Sequence, residues 1–281
     1  MIDRAPARIL ITGANGFVGR HAIPALRARF PKAWLLGATQ HAEATSPGLD
    51  EALVMDLLDA ASIDAAIATG KPDAVLHLAA QAAVGESFTA PLMTWRVNLL
   101  GTLALAEAVL RQRPSAYFLY VSSAEVYGLS FQTGQPLSEA AFVVAAFARQ
   151  VARIEAGLQP PVIRTGALNR WRDMLDVRDV AAAYAEAIAR AHSLDPGIVI
   201  NLASGRPRCI GDILQTLIAG ARTKMVTETD QGRLRPTDIE KTLGDSSRAA
   251  ALLDWSPQIA WETSLHDVME YWRNQIRDSR R

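Results

Sequence analysis

Three glycines stand at positions 13, 16 and 19, in the run Gly13-Ala14-Asn15-Gly16-Phe17-Val18-Gly19. Residues of this type at this spacing can hold a dinucleotide. Gly13 permits a tight turn, Gly16 lets the backbone approach a pyrophosphate, and Gly19 lets a helix pack closely on a strand. The helix that follows would present free amides and the positive end of its dipole to the phosphates. A bare glycine triplet also occurs in structural turns. Here residues 7–12 before it read as a strand and residues 20–30 after it as a helix, the context that phosphate binding requires.

The acidic residue expected about 20 positions beyond such a loop, which would bind the ribose hydroxyl, is missing. The segment there is Gly37-Ala38-Thr39-Gln40-His41. Without a carboxylate a 2′-phosphate would not be repelled, so the cofactor is NADP or NAD with a lean to NADP. The five histidines lack metal-ligand spacing, so no metal is assigned. The single Cys209 excludes an internal disulfide and a cysteine zinc site.

The elements that must position the glycines follow from periodicity. Short apolar runs at 7–12, 33–37, 52–55, 74–78 and 117–121 read as strands. Helical patterns fall at 20–30, 63–68 and 97–113. In the last of these Leu99, Leu100, Leu103, Ala106, Val109 and Leu110 keep helical spacing. Strands alternating with helices imply an α/β fold, a doubly wound parallel sheet with helices on both faces. The second half is less regular. Helices are expected at 177–191, with Asp176 as cap, and at 210–219 and 264–277. A strand is expected at 198–202 and a polar loop at 233–238.

Composition bounds the function. The 281 residues carry 29 basic and 29 acidic side chains, for a net charge of zero. With no basic stripe, nucleic acid is not an expected partner. Hydrophobic residues make up 49% and charged residues 21%, an ordinary globular composition. No apolar run approaches the roughly 18 residues needed to span a bilayer, and the first residues do not form a secretory signal. A cytoplasmic protein is expected. The six tryptophans read as core or rim packing.

The spacing Gly-x-x-Gly-x-x-Gly resembles the extended short-chain dehydrogenases/reductases, the NAD-dependent epimerase/dehydratase family. Further residues carry the resemblance. Asp56-Leu57 matches the pair beside the adenine, and His77-Leu78-Ala79-Ala80 the turn under the nicotinamide ribose. Asn98 matches the asparagine that opens the long helix. Val121-Ser122-Ser123-Ala124-Glu125-Val126-Tyr127-Gly128 is similar to the catalytic serine strand. The likeness is closest to GDP-4-keto-6-deoxy-mannose reductases and GDP-mannose dehydratases. Its marks are Val84-Gly85-Glu86-Ser87-Phe88, the segment from Arg172 to Val180, and Arg235-Pro236-Thr237-Asp238.

The resemblance implies a Rossmann-type dinucleotide domain at 1–140. A smaller substrate lobe at 141–281 would have the remaining Rossmann elements interleaved. Gly13, Gly16, Phe17, Val18, Gly19, Asp56, Leu57, Leu78, Ala79 and Ala80 would bind the cofactor. Ser123 would polarise a sugar carbonyl, and Glu125 matches the base of related dehydratases. Ser87, Arg172, Arg235 and Asp238 would bind the nucleotide sugar, the two arginines through their forked hold on phosphate oxygens. The implied partners are a GDP-sugar substrate and a second copy of the chain.

One part of the pattern is missing. The family's acid is a tyrosine with a lysine four residues later, whose charge lowers the tyrosine pKa. The lysines are Lys32, Lys71, Lys224 and Lys241; the tyrosines are Tyr117, Tyr120, Tyr127, Tyr184 and Tyr271. No pair has the spacing. Gln135 to Glu139 is similar to the segment just before the catalytic helix, whereas Ala141 to Gln150 is similar to one well after it. The junction at 139–142 therefore omits that helix, the sixth strand and a loop, roughly 30–45 residues by the size of such units. Either the gene lacks the segment or the sequence as written does. The alternative functions are a protein that binds cofactor and sugar nucleotide without the chemistry, or a 4,6-dehydratase or epimerase of the same family.

Overall fold

The computed structural model describes residues 5–40, 46–82, 87, 89–123, 143–234 and 240–280. They form two compact units. One takes the described residues within 1–128, 177–200 and 247–256; the other takes those within 129–176, 201–246 and 257–281. The boundary expected at residue 140 lies outside the described residues.

The first unit is built on a parallel sheet of five strands. They are β1 (Arg8–Thr12), β2 (Trp34–Thr39), β3 (Glu51–Val54), β4 (Ala74–His77) and β5 (Tyr117–Tyr120), in the order β3-β2-β1-β4-β5. Ile9 pairs with both Leu35 of β2 and Ala74 of β4, which puts β1 at the centre. Its residues from Ile9 to Thr12 are all buried, as a strand covered on both faces must be.

Side-chain alternation sorts the strands' residues onto two layers. Ile9, Ile11, Leu35 and Leu76 pack under α1 (Phe17–Arg29) and α6 (Val177–Ala189), against Ala22, Ile23, Leu26, Ala181, Ala185 and Ile188. Leu10, Leu36 and Val75 face the other way. They meet Ile63 and Ile67 of α2 (Ala60–Gly70) and Leu105 and Val109 of α4 (Thr102–Gln112). The Asp59 side chain caps α2 by accepting from the Ala61 amide at 2.9 Å. The helix expected at 97–113 starts earlier, as α3 (Pro91–Trp95), and passes through a π-helical turn (Arg96–Gly101) before α4.

The expected strand at 198–202 does not form. Val199 is 58% exposed, and its carbonyl accepts from Arg248 Nη1 at 3.1 Å instead of a neighbouring strand. The run is apolar and β-branched, but the sheet ends at β5 and offers it no ladder.

The second unit holds the helices expected at 210–219 and 264–277 beside elements that the periodicity did not single out. Its core joins α5 (Val143–Glu155), α7 (Ile210–Ala219) and α8 (Trp261–Asp278) through Phe147, Val151, Ile213, Leu214, Leu265 and Met269. Two small sheets complete it. In one, β6 (Val162–Thr165) pairs in parallel with β9 (Val226–Thr229); in the other, β7 (Trp171–Asp173) pairs antiparallel with β8 (Pro207–Cys209). Asp173 knots the second sheet to its surroundings. Its carboxylate accepts from the Ser204 amide and hydroxyl at 2.8 and 2.6 Å, the Gly205 amide at 3.0 Å and the Gly244 amide at 3.1 Å.

Candidate functional site

In an open parallel sheet, ligands bind outside the carboxyl ends of the strands, where the strand order reverses. That point here lies between β1 and β4, whose last residues are Thr12 and His77. The glycine loop leaves β1 at this edge. Gly13 has φ +67°, a left-handed conformation, and a Cβ on it would sit 2.9 Å from the Ala79 amide nitrogen. A Cβ on Gly19 would sit 2.4 Å from the Gly13 carbonyl oxygen and 2.5 Å from that of Ala14, so only glycine lets α1 start so close to the loop. Gly16 differs. Its Cβ would meet a single atom, the Gly13 oxygen at 3.1 Å, which leaves the remaining space over it open.

The Gly16 amide donates to the Gly13 carbonyl at 2.9 Å, and the Arg20 amide to Gly16 at 3.1 Å. The first amides of α1 thus have no carbonyl one turn behind them within the helix. No acidic residue lies in that first turn, so its positive dipole end is not neutralised locally. Two features of a dinucleotide cradle are therefore present in the chain itself: a loop with space over Gly16 and a helix N-terminus. Ser46, unmarked by any motif, braces the loop. Its buried hydroxyl lies 3.1 Å from the Ala14 carbonyl and 2.8 Å from Asn15 Oδ1.

Leu78, Ala79 and Ala80 follow β4 at the same edge. Thr12 Oγ1 accepts from the Leu78 and Ala79 amides at 3.1 and 3.0 Å and lies 2.7 Å from His77 Nδ1. His77 Nε2 lies 2.9 Å from Thr102 Oγ1. Burial holds the His77 pKa down to about 4, so the ring is neutral at neutral pH. Asn98, from the π-helical turn, accepts from the Gln81 amide at 2.7 Å and donates to its carbonyl at 3.0 Å. Asp56 follows β3. Its carboxylate accepts from the Leu58 amide at 2.9 Å, and Leu57 packs against the α2 and α4 layer.

Ser123 lies three residues past the end of β5, exposed, beside the end of β4, since Tyr120 pairs with His77. Gly13, Gly16, Gly19, Asp56, Ala79 and Ser123 thus all follow strands at the carboxyl edge of the sheet, Asp56 and Ser123 past its two outer strands. Glu125 lies outside the described residues, as do Arg235 and Asp238. Ser87 is described and half-buried, between undescribed residues. Arg172 is on β7 in the second unit, with Nη1 donating to the Trp171 carbonyl at 2.9 Å. Of the described tyrosines, Tyr184 is pushed up to about 12 by burial, the wrong direction for a proton donor at neutral pH. Among the described residues no cluster of histidine, cysteine and carboxylates could hold a metal. No described helix is long and apolar enough to cross a membrane.

Comparison with known proteins gives a consistent family. Residues 9–142 match the NAD dependent epimerase/dehydratase family and residues 129–268 match GDP-mannose 4,6 dehydratase. The chain is 28% identical over 317 residues to the GDP-6-deoxy-D-mannose reductase of Pseudomonas aeruginosa, covering 96% of this chain and 99% of the reductase. Since 96% of 281 residues is about 270, some 47 of those 317 positions face gaps in this chain. The structure of RMD from Pseudomonas aeruginosa complexed with NADPH superposes with a TM-score of 0.76 at 27% identity, over 95% of this chain and 99% of that one. A UDP-glucose-4-epimerase from Stenotrophomonas maltophila with bound NAD and formylated UDP-arabinopyranose shares the fold, with a TM-score of 0.79 at 20% identity over 97% and 99% of the two chains.

Proposed function

Because the chain belongs to the NAD-dependent epimerase/dehydratase family, we propose that it is an NAD(P)-dependent nucleotide-sugar oxidoreductase. Its reaction is the reduction of GDP-4-keto-6-deoxy-mannose to a GDP-6-deoxy sugar, run without the usual tyrosine and lysine and accordingly slow. The observation that carries the reading is the convergence of the glycine loop, the α1 N-terminus, the Leu78–Ala80 turn and Ser123 on one sheet edge. Support for the substrate comes from the match of residues 129–268 to GDP-mannose 4,6 dehydratase and from the reductase relative. Described β2 and Gln40 carry no carboxylate, which favours NADP over NAD. A cytoplasmic setting accompanies this reading.

The roles follow from the chemistry of each group. Gly16 and the first amides of α1 hold the pyrophosphate. Asp56 and Leu57 flank the adenine end, and residues 78–80 support the nicotinamide ribose. The dinucleotide, when bound, supplies the hydride. Ser123 donates a hydrogen bond to the sugar carbonyl oxygen and steadies the charge that develops there. Ser87, Arg172, Arg235 and Asp238 hold the nucleotide sugar, the arginines on its diphosphate. The proton that completes the alcohol has no tuned donor. A serine hydroxyl is far too weak an acid, and an ionised Glu125 carries no proton at pH 7.

A second reading, a protein that binds cofactor and sugar nucleotide without turning them over, is favoured by one observation: no tyrosine has a lysine four residues on. NADPH oxidation with GDP-4-keto-6-deoxy-mannose separates the two. The 281-residue chain should turn over about 10²- to 10⁴-fold more slowly than a version with a Tyr-x-x-x-Lys segment restored between Glu139 and Phe142. Full turnover by the chain as it stands would show that another residue supplies the proton. No turnover, with both ligands bound, would establish the binding protein.

A further inference from the structure

The five-stranded sheet of the first unit ends on two unlike edges. β3, on one side, opens with Glu51. Its carboxylate lies 3.6 Å from Arg8 Nη2 and accepts from Trp34 Nε1 at 3.1 Å. A charge on an edge strand discourages another strand from pairing there. β5, on the other side, has no such guard. It reads Tyr117-Phe118-Leu119-Tyr120, and from Pro114 to Ala124 the chain carries no charge. The strand holds no proline and no glycine, and it pairs with β4 residue for residue, without a bulge. Its aromatic residues favour the extended state.

The direction of the backbone groups follows from two bonds. The Tyr117 amide donates to the Asp73 carbonyl at 2.9 Å, and the Val121 amide to the His77 carbonyl at 3.3 Å. Residues 117, 119 and 121 thus turn their backbone groups towards β4, and alternation turns those of Phe118 and Tyr120 outwards. Among the described residues no strand pairs with that side. Tyr120 is 50% exposed, and the rest of the strand is only half-buried, whereas β4 is buried throughout. Phe118 and Tyr120 share one face, their rings 5.9 and 6.0 Å from that of His77. Tyr117, Leu119 and Val121 pack on the opposite layer.

A two-fold axis through Leu119 makes this edge its own complement. In an antiparallel pair so centred, Phe118 of each copy stands opposite Tyr120 of the other, and each such pair exchanges two backbone bonds. Tyr117 meets Val121 and Leu119 meets its own counterpart, so every cross-strand contact is aromatic or apolar. No like charges are opposed, and a net charge of zero leaves no long-range repulsion between copies. We propose that β5 is an interaction edge for a second copy of this chain, the two joined antiparallel about Leu119 into one continuous sheet. The proposal stands apart from the reading of the glycine loop.

Tyr120→Pro tests the backbone directly. It deletes an outward amide and spares the bonds to β4, the one setting in which a sheet accepts proline. Tyr120→Val also removes the ring but keeps the amide. Sedimentation velocity from about 1 µM to about 1 mM protein measures association of wild type and both variants, with circular dichroism as the folding control. Wild type should dimerise as concentration rises. Tyr120→Val should stay within about threefold of its dissociation constant, and Tyr120→Pro should associate at least about tenfold more weakly. Residue-resolved hydrogen exchange on wild type should show the Phe118 and Tyr120 amides slowing about tenfold or more between dilute and concentrated protein. Wild type that stays monomeric throughout overturns the proposal. So does Tyr120→Pro that associates like wild type, or Tyr120→Val that loses as much as Tyr120→Pro. Should Tyr120→Pro fail to fold, exchange decides alone: copies that associate while both amides exchange unchanged meet through another face, and the proposal falls.

Discussion

Gly16 and Gly19 show how one residue type serves two ends. Gly19 is required by the chain itself, since a Cβ there would lie 2.4 Å from a backbone oxygen. Gly16 has space over it, and its φ of −71° is open to any residue. Gly16→Val should therefore leave folding nearly untouched and block the approach of the pyrophosphate. Calorimetry should find NADPH and NADH binding abolished at an unchanged melting temperature, and retained affinity would remove Gly16 from the site. His77 makes a second residue-scale prediction. Burial lowers its pKa from 6.5 to about 4. Above pH 6.5 the ring is neutral folded and unfolded, and costs nothing. Between pH 6.5 and 4 the unfolded chain takes up a proton that the folded one refuses, so stability falls as pH falls. The total loss is on the order of 3 kcal/mol, complete below about pH 4. Urea unfolding at stepped pH should show this slope, and His77→Asn should flatten it.

At the scale of elements, the helical run from Pro91 to Gln112 has two unlike faces. Leu105 and Val109 are buried against the sheet at 0% and 3% exposure, while Leu99, Leu103 and Leu110 stand 44%, 51% and 69% exposed. Leu92 and Trp95 extend the exposed stripe towards the helix start. Apolar patches of this kind favour association. Leu99→Gln with Leu103→Gln should lower the sedimentation coefficient or remove aggregate at high concentration, with little change in stability. Leu105→Ala should do the reverse, costing about 2–5 kcal/mol through the cavity it leaves without altering association. Denaturant midpoints and sedimentation velocity on both variants check the pair. Equal effects would mean that the two faces are not distinct.

For the molecule as a whole, the candidate binding residues divide between two compact units. The glycine loop, residues 78–80 and Ser123 belong to the first; Arg172 on β7 belongs to the second. If the division of labour follows the units, Arg172→Ala should weaken GDP binding by about tenfold, the worth of a charge-assisted bond to phosphate. It should leave NADPH binding within about twofold. Titrating each ligand alone tests this, and an equal loss for both would point to a folding defect instead. The Glu155–Arg273 pair in the same unit gives the contrast of a structural arginine. Its guanidinium reaches both Glu155 oxygens at 2.8 and 2.7 Å, and both side chains are largely enclosed.

Much of the first unit was legible in the sequence because its signals are local. The three glycines fall within seven residues, and each central strand announces itself by an apolar run bounded by turn residues. The absent tyrosine–lysine pair was legible for the same reason, since a fixed spacing of four can be searched directly. In the second unit the helices at 210–219 and 264–277 were legible, whereas α5 and the short strands were not. β7 has only three residues and β9 is exposed along its whole length, so neither carries a buried apolar run to stand out. The run at 198–202 erred the other way, with strand-like side chains and no ladder to join. The hydrogen bonds at the candidate site lay beyond sequence altogether: Thr12 meets His77 across 65 residues, and His77 meets Thr102 across 25. Periodicity records which face of an element avoids water. A hydrogen-bond partner is chosen by the packing of distant segments, and only the folded chain brings Thr12, His77 and Thr102 within reach of one another.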